Sequence, residues 1–587
     1  MVGCNRTMTR SLPRRQSKPW SSITYISRAP RSHLLATKED VEDWWLPKDA
    51  WDQYPIKGLA ITPQPKPTLP ASQRSSFASL AHKIKQPPSL NMATGWSKLP
   101  LELRWMILGH VRESESSLPL QLKSPQLPLV CREWHNFFPH DNFRLLVLDQ
   151  DRLDDFDRFV HRNIPRRAHV EYIILRVRLP EYDCTVCEQR EDDETALKND
   201  IIFVETLQRF FALLSTWKAP ANRHGVHLDI GAFSPSDGQH GFRDARFSRE
   251  YTHGAGQEVY DRHHMAKAIP DDSDTCPAWQ RARERKQPRM GAKRRLLATL
   301  GDHTAHRYNN NRILFAAAPI VRTLDIRRHY YRHISENFLS QILRQALPNL
   351  VSFRSETWVH PEDHTQGQFR FEHFAMLAAL PDKVKQVSLY YQSSPNLRPS
   401  HYNDRRFRGW MAELSRETAI AATGLRVLTT CFLIDASDFI NYSMALDLHF
   451  PDLEVLVMTS QKLQKSQDPA WFIAQLATAG NLIYECMPKL VMMEIVSRHK
   501  NDIFFIRFCC TPDRTYMVQW MSSWHTEGDL DPLFNELRRQ LNFFHPGKWL
   551  EVYRLEDEYE IRKMEHWHPR GLLPESRRQL MYDSPKP

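Results

Sequence analysis

Short apolar runs with strand character recur along the chain from about residue 170. They are VEYIILRV (Val170–Val177), VHLDI (Val226–Ile230), VRTLDI (Val321–Ile326), NLVSF (Asn349–Phe353), VKQVSLYY (Val384–Tyr391), LRVLTTCFL (Leu425–Leu433), LEVLVM (Leu453–Met458) and LVMMEI (Leu490–Ile495). Amphipathic runs with helical spacing lie between them, at Asp200–Trp217, Ile334–Leu347, Phe371–Leu380 and Trp471–Gly480. Strands that alternate with helices predict an α/β fold with parallel strands and helices outside the sheet.

Six of the strand-like runs share one spacing. An apolar residue is followed by two residues of any kind, a second apolar residue and then alternation, as in Val321/Leu324/Ile326. This is the spacing of the strand in a leucine-rich repeat. The intervals between runs are long and uneven, so we expect an irregular, curved α/β solenoid over residues 165–500. A conventional α/β domain with one parallel sheet is the alternative.

Three segments lie outside this pattern. Residues 1–95 are rich in Pro, Ser and Arg and are predicted to be disordered, although the first 38 residues, which lack acidic groups, also have the composition of a transit peptide. A segment at about 234–300 shows little periodicity and is predicted to be a flexible insertion. Residues 501–587 are predicted to be a C-terminal cap and tail; the pattern leaves open whether they close the array or form a separate unit.

A compact helical module is predicted at residues 96–145. Its first half, SKLPLELRWMILGHV (Ser97–Val111), places Pro100 in the first helical turn, where a missing N–H costs little. Apolar residues occupy two faces of this helix, one through Leu99, Leu103, Ile107 and Val111 and the other through Leu101, Trp105 and Leu108. Two or three short helices cannot bury so much apolar surface alone. The pattern favours a module that docks into a groove of another protein, with a helical cap on the solenoid as the alternative.

The residues of this module resemble an F-box. LPLELRWMIL followed by LPLVCREW is similar to the F-box pattern Leu-Pro-x-Glu-Ile/Leu-x-x-x-Ile-Leu and then Leu-x-x-Val-Cys-x-x-Trp. The matching positions are Leu99, Pro100, Glu102, Leu103, Ile107, Leu108, Leu127, Val130, Cys131 and Trp134. The chain departs from the pattern in the connection from Leu108 to Leu127, which is longer by several residues and contains Pro119 and Pro125 where the usual middle helix lies. The wider chain resembles the large fungal group of F-box proteins with degenerate leucine-rich repeats, in stretches such as RLPEYDCTVCEQRE and LDIRRHYYRHI.

This resemblance implies a substrate receptor of an SCF-type (Skp–cullin–F-box) ubiquitin ligase. The residues it assigns to binding of a Skp-type adaptor are Leu99, Pro100, Leu103, Trp105, Ile107, Leu108, Val130 and Trp134. A cullin would join through the adaptor, and the repeats would bind a protein substrate. Such a receptor is not itself an enzyme, needs no cofactor, and acts in the cytoplasm, the nucleus or both. The alternative is a repeat scaffold that binds protein or nucleic acid without a ligase.

Composition and motifs agree with a binding protein more than with a catalyst. We find no Gly-x-Ser-x-Gly, no phosphate-binding Gly-rich loop and no His-Glu-x-x-His motif, and 19 glycines in 587 residues leave few tight phosphate-binding turns. No stretch approaches the roughly 20 apolar residues of a membrane span. The net charge of +10 is modest for this length and permits contact with nucleic acid or acidic proteins without requiring either. Nucleic acid is not the expected partner, because the basic run from Arg281 to Arg295 lacks interleaved aromatic residues.

Two local features have more than one interpretation. Cys184 and Cys187 form a Cys-x-x-Cys in a chain of nine cysteines, an odd number that favours a reducing compartment. Because no second pair follows at zinc-ligand spacing, we interpret them as structural loop residues, with a metal site or a redox role as alternatives. The basic run from Arg281 to Arg295 is interpreted as a flexible surface loop, with a nuclear-import signal or a nucleic-acid patch as alternatives.

Overall fold

A computed structural model describes most of the chain beyond residue 95. The described ranges are 98–117, 133–134, 143–217, 225–237, 289–302, 314–358, 366–392, 404–463, 469–499, 502–510, 516–522, 530–544 and 549–554, with the single positions Trp96, His240, Cys276, Ala278, Gln280, Arg281 and Glu284. The predicted disorder of residues 1–95 lies outside these ranges.

The described residues form an α/β fold with a large, mostly parallel sheet. The strands are β1 (Leu145–Leu148), β2 (Tyr172–Arg178), β3 (Val226–Phe233), β4 (Thr299–Leu300), β5 (Val321–Ile326), β6 (His333–Ile334), β7 (Ser352–Trp358), β8 (Gln386–Gln392), β9 (Val427–Cys431), β10 (Val455–Thr459), β11 (Met492–His499), β12 (Asp502–Cys510), β13 (Tyr516–Ser522) and β14 (Trp549–Arg554). The helices are α1 (Leu101–Ser117), α2 (Leu153–Phe156), α3 (Ile164–Arg167), α4 (Asp193–Ser215), α5 (Met290–Leu296), α6 (Glu336–Gln345), α7 (Gln366–Leu377), α8 (Asp404–Ala422), α9 (Ala436–Ala445), α10 (Pro469–Cys486) and α11 (Leu530–Phe544).

The strands of the main sheet follow one another in chain order. The order is β1-β2-β3-β5-β7-β8-β9-β10-β11-β12-β13-β14, and β4 pairs with β6 in a separate two-stranded sheet. All pairs from β1 to β11 are parallel, β11–β12 and β12–β13 are antiparallel, and β13–β14 is parallel. The antiparallel pairs are possible because β11, β12 and β13 are joined by short connections that need no crossover helix.

The repeated apolar spacing of the sequence becomes one continuous row across the sheet. The strand register aligns Ile173, Leu228, Leu324, Phe353, Val387, Leu428, Leu456 and Met493, each paired with the next. Every member of this row is at most 1% exposed. Side chains alternate between the two faces of a strand, so this row and its neighbours two positions away make one face of the sheet apolar.

The helices pack on that apolar face. Successive helices from α6 to α11 contact one another in chain order. Their buried residues, such as Leu339 of α6 and Leu476 of α10, belong to the same core as Leu324 and Leu456 of the strands. Burial of this continuous core is the main favourable contribution to folding, at about 25 cal/mol for each Å² of apolar surface removed from water.

Side-chain caps fix where several helices begin. Asp192 accepts the N–H of Thr195 at the start of α4, and Asp435 accepts the N–H of Ser437 at the start of α9. Asp435 also accepts the backbone N–H groups of Gln461 and Lys462, at 2.7 and 3.1 Å, from the loop after β10. One buried carboxylate therefore joins the first turn of α9 to the end of the neighbouring strand.

The eight predicted strands and four predicted helices all occur, with ends shifted by a few residues. The expectation of an α/β fold is confirmed, and the sheet continues beyond residue 500 through β12, β13 and β14. The last part of the predicted insertion, about 234–300, contains α5 and β4. None of the helices in the described ranges combines the length and apolar composition of a membrane-spanning segment.

Candidate docking helix and polar face of the sheet

Helix α1 exposes several large apolar side chains within residues 101–111, the part whose side chains the structure describes. Leu101, Leu103, Trp105, Met106 and Ile107 are 53, 43, 57, 58 and 39% exposed. Leu108 is fully buried, so this residue belongs to the core of the chain itself rather than to a docking surface. An isolated exposed leucine is ordinary, but several neighbouring apolar residues on one helix are typical of a protein-binding surface.

The other predicted adaptor-binding residues differ in their exposure. Pro100 is exposed, whereas Leu99 and Trp134 are half-buried. Val130 lies outside the described residues. Among the residues that the resemblance assigns, the accessible ones are therefore Pro100, just before α1, and Leu103, Trp105 and Ile107 of α1.

Contacts of Glu133 join the two halves of the F-box-like motif. Arg104 Nη1 donates to Glu133 Oε2 at 2.8 Å, and Trp96 Nε1 donates to the same oxygen at 2.8 Å. The rings of Trp96 and Trp134 lie 5.7 Å apart between centroids. Arg104 Nε also donates to the carbonyl oxygen of Leu99 at 3.1 Å, which secures the residues that precede α1.

The face of the sheet opposite the helices carries a row of polar side chains. The strand register aligns Asp229, Asp325, Arg354, Ser388, Thr429, Val457, Glu494, Arg507 and Gln519 across nine strands. Charged residues lie on β3–β7 at one end of this row and on β11 and β12 near the other, and Ser388, Thr429 and the apolar Val457 lie between them. We call this row and its polar neighbours the polar face.

Asp325 is the centre of the charged cluster at the β3–β7 end of the polar face. Its carboxylate is fully buried and accepts two hydrogen bonds from Arg354, Nε to Oδ1 at 2.7 Å and Nη2 to Oδ2 at 2.8 Å. His227 Nε2 lies 2.7 Å from Asp325 Oδ2, and therefore carries the proton because the carboxylate only accepts. Such a two-point guanidinium–carboxylate contact is among the stronger hydrogen-bonded pairs in proteins.

A second carboxylate extends this cluster along the strands. Arg327 Nε lies 2.6 Å from Asp229 Oδ2, and Arg327 Nη2 donates to the hydroxyl of Tyr172 at 2.6 Å. Gly231, two residues after Asp229 on the same face, lies under the ring of Tyr330. A Cβ on Gly231 would come within 2.0 Å of that ring, so only glycine permits this packing.

Burial and charge act in opposite directions on the ionisable groups of this cluster. Burial opposes ionisation of Asp325, but the charges of Arg354, His227 and Arg327 outweigh it and hold the pKa of this carboxyl well below its ordinary value. Burial lowers the pKa of His227, and the attraction of Asp325 only partly offsets this effect. Burial also raises the pKa of Tyr172 well above its ordinary value. The cluster is therefore a fixed charged network near neutral pH, with Asp325 ionised and Tyr172 protonated.

Aromatic rings and a further ion pair continue the polar face. The guanidinium carbon of Arg328 lies 4.9 Å from the ring centroid of Trp358 and 4.2 Å from that of Tyr390. At the far end of the row, Arg507 binds the fully buried Glu494 carboxylate, with Nε 2.7 Å and Nη2 2.6 Å from Oε1. In the ion pairs of Asp325 with His227 and Arg354, and of Glu494 with Arg507, the basic side chain is partly exposed and the carboxylate is fully buried.

The Cys-x-x-Cys lies in the connection between β2 and α4, beside two residues from elsewhere in the chain. His240 Nδ1 is 3.4 Å from Cys184 Sγ and 3.3 Å from Cys276 Sγ. Cys187 is buried against Cys276, and its thiol donates to the carbonyl oxygen of Cys184 at 3.4 Å. Sequence spacing did not indicate this group, because His240 and Cys276 are separated from the pair by long stretches of chain.

The basic run from Arg281 to Arg295 packs on this cysteine loop where the structure describes it. Arg281 forms an ion pair with Glu188, and Arg289 Nη1 lies 3.3 Å from the same carboxylate. Arg295 donates to the carbonyl oxygens of Gln189 and Arg190, at 2.9 and 3.1 Å. These arginines serve contacts within the chain, which argues against the interpretation of the whole run as a flexible surface loop.

Comparison with known proteins adds one match. A family model described as "Family of unknown function (DUF6546)" matches residues 379–537, from just after α7 into α11. No curated protein and no solved structure matches the chain. The chain is thus similar to that family over the C-terminal part of the sheet, a stretch that includes Glu494 and Arg507 of the polar face.

Proposed function

We propose that this protein is an F-box substrate receptor of an SCF-type ubiquitin ligase. The observation that carries the proposal is the exposure of α1. Leu103, Trp105 and Ile107 present apolar side chains to solvent, while Arg104 of the same helix is bound to Glu133 in the second half of the motif. A helix that is secured through Arg104 and exposes apolar side chains on its other faces suits docking into a groove.

In this proposal, residues 96–145 form the F-box module and bind a Skp-type adaptor, which brings a cullin. Pro100, Leu103, Trp105 and Ile107 make the apolar contact. Leu108, which is fully buried, supports the module from within. Apolar anchors at the centre of an interface supply most of its binding free energy.

The remainder of the chain acts as a degenerate leucine-rich-repeat-like solenoid that binds the protein substrate. Its strands lie in chain order and its helices contact one another in the same order, which is the arrangement expected for stacked repeats. The polar face supplies the recognition surface, where His227, Arg354 and Arg507 are each about a quarter exposed. These side chains favour a substrate segment with acidic groups.

The receptor contributes proximity and no catalytic residue. A substrate held on the polar face and a ubiquitin-charged enzyme held through adaptor and cullin react at a high effective concentration. Because the adaptor and the substrate bind to different parts of the chain, a substitution can abolish binding of one and leave binding of the other unchanged.

Affinity capture of the full chain from cells treated with a proteasome inhibitor tests the proposal. We expect a Skp-type adaptor and a cullin in the captured material, together with ubiquitin-modified substrate proteins. A chain with Ile107→Asp should lose the adaptor and the cullin but keep the substrates. Capture of the same proteins by both chains, or of no adaptor by either, would instead favour a repeat scaffold without a ligase.

A further inference from the structure

The donor atoms around His240 have the composition of a metal site. Sγ of Cys184, Nδ1 of His240 and Sγ of Cys276 all lie within 4.8 Å of one another. Cys187 is buried in one cluster with Cys276 and so lies at the edge of the same group. Three thiols and one imidazole are the ligands of a Cys₃His zinc site, and two of the thiols come from the Cys-x-x-Cys spacing common in such sites.

The distances between donor atoms fit a tetrahedral ion. With zinc about 2.3 Å from sulfur and about 2.0–2.1 Å from nitrogen, adjacent nitrogen and sulfur ligands stand about 3.6 Å apart. The separations of His240 Nδ1 from Cys184 Sγ and Cys276 Sγ are 3.4 and 3.3 Å. A small outward movement of both thiols would open the space that the ion requires.

A hydrogen bond fixes the imidazole in the orientation and tautomer that a metal needs. Nε2 of His240 lies 3.3 Å from the carbonyl oxygen of Tyr182, to which it donates. Nδ1 therefore keeps its lone pair and points between the two thiols. In most metal-binding histidines, the ring nitrogen that does not bind the metal donates a hydrogen bond in the same way.

The backbone at His240 supports a role for its side chain. His240 has φ of 54°, in the left-handed region that glycine adopts with least strain. The ring also stacks on Tyr182, with centroids 5.6 Å apart and planes 28° apart. The position thus has a histidine where the backbone alone would favour glycine.

The surroundings hold the Cys-x-x-Cys loop in place. Helix α5 packs so closely on this loop that a Cβ on Gly291 would lie 2.1 Å from the carbonyl oxygen of Glu188. Arg332 binds both Glu191 and Asp237, the latter at 2.9 Å, and so links the loop to the residues that follow β3. A preorganised loop of this kind lowers the entropy cost of metal binding.

We propose that Cys184, Cys187, His240 and Cys276 form a structural zinc site. The ion would tie the connection between β2 and α4 to the two ends of the segment from His240 to Cys276. It would thereby fix loops at the carboxyl ends of β2 and β3, the edge of a parallel sheet where ligands bind. Binding releases the thiol protons, because the cysteines coordinate as thiolates. The site does not depend on the docking role of α1.

Metal analysis of the purified full chain tests this site. The chain is expressed with added zinc salt and purified without chelator, and we expect about one zinc ion per chain, bound by four protein ligands. The paired substitution Cys184→Ser with Cys276→Ser should lower the zinc content at least about tenfold. Cys509→Ser, a half-buried cysteine on β12, is the matched control and should leave the content unchanged.

Thiol alkylation of the unaltered chain covers the case in which the paired variant fails to fold. Cys184, the exposed member of the group, should resist alkylation until a strong zinc chelator is added, whereas the reactivity of Cys509 should be the same before and after. Exchange with cobalt should give the thiolate charge-transfer and tetrahedral d–d absorption bands. Zinc-free full chain, a disulfide among these three cysteines, or equal zinc in the paired variant would overturn the proposal. Adaptor capture by the paired variant is expected to be unchanged, which separates this test from that of the docking helix.

Discussion

Arg104 and Glu133 connect the two halves of the F-box-like motif. Arg104 Nη1 lies 2.8 Å from Glu133 Oε2, and the two side chains are only 23% and 26% exposed. Trp96 donates to the same carboxylate oxygen. One acidic side chain thus holds both Trp96, which precedes α1, and the first turn of α1 against the second segment.

Removal of this contact should weaken adaptor binding without changing the docking surface. Glu133→Gln and Arg104→Gln should each lower the affinity by about fivefold, equivalent to roughly 1 kcal/mol for a half-buried ion pair. The double variant should lose little more than either single variant, because the two side chains act as one unit. Calorimetric titration of adaptor into the four proteins measures this coupling. Additive losses would show that the contact does not organise the module.

Substitutions at two neighbouring residues of α1 should affect adaptor binding and stability separately. Ile107 is 39% exposed and Leu108 is fully buried. Ile107→Ala should lower adaptor affinity by about tenfold or more, as expected for an apolar interface anchor, and leave thermal unfolding unchanged. Leu108→Ala should lower the free energy of unfolding of the module by about 2–5 kcal/mol through loss of packing and creation of a cavity. The opposite result, in which Leu108→Ala weakens adaptor binding and Ile107→Ala destabilises the module, would place the docking surface on the other side of the helix.

The buried carboxylate of Asp325 should be important for the stability of the sheet. Asp325→Asn leaves Arg354 and Arg327 without their shared anionic partner, and breaking a buried ion pair costs about 3–5 kcal/mol. The matched control is Glu171→Gln, since Glu171 and Arg144 form a half-exposed pair that contributes less than about 1 kcal/mol. Denaturant unfolding followed by tryptophan fluorescence measures both. Equal shifts in the two variants would contradict the assignment of Asp325 as the centre of the network.

A buried histidine cluster should make stability depend on pH. His333 Nε2 lies 3.2 Å from Glu336, and His373 Nδ1 lies 3.3 Å from the same carboxylate. Burial disfavours the charged form of His333, but Glu336, Asp302 and Glu372 outweigh this and raise its pKa above 6.5. Burial likewise opposes ionisation of Glu336, but the two histidines lower its pKa to about 2.

The sign of the effect follows from the direction of each shift. The stabilisation from His333 is complete below pH 6.5 and is lost as the pH rises through its raised folded-state pKa. The stabilisation from Glu336 is present above its ordinary pKa of 4.5 and is lost only as the pH falls towards about 2. Thermal unfolding midpoints should therefore fall as the pH rises above 6.5, and His333→Gln should flatten this decline. If the unfolding midpoint of His333→Gln falls with pH as steeply as that of the unaltered chain, groups other than His333 cause the decline.

Much of the fold could be predicted because burial repeats with strand and helix periodicity. The row through Leu324, Leu428 and Leu456 appears in the sequence as a regular spacing, since each strand contributes the same positions to one core. Helix α8 escaped prediction because charged residues interrupt its apolar ones, and α9 because Ser437, Asp438, Asn441 and Ser443 divide its apolar residues. Strand β1 is only four residues long and gives too short a pattern to recognise.

The chemical sites were less accessible to prediction because they depend on contacts between distant residues. Asp325 and Arg354 come together through strand register, and each appears in the sequence as an ordinary charged residue within a strand. Cys184 and Cys187 gave a visible motif, but His240 and Cys276 join it only through tertiary folding. A search for all cysteines and histidines after strand ends would have included His240, which follows β3.

Direct binding of a purified Skp-type adaptor to the full chain is the most decisive measurement. Titration calorimetry and size-exclusion chromatography should show a one-to-one complex that the substitutions Leu103→Asp, Trp105→Asp and Ile107→Asp each disrupt, while Asp substitution at the exposed residue Lys98 leaves it intact. A chain that remains folded and binds no adaptor, or that binds equally well after all three changes on α1, would contradict the assignment of this protein as an F-box receptor.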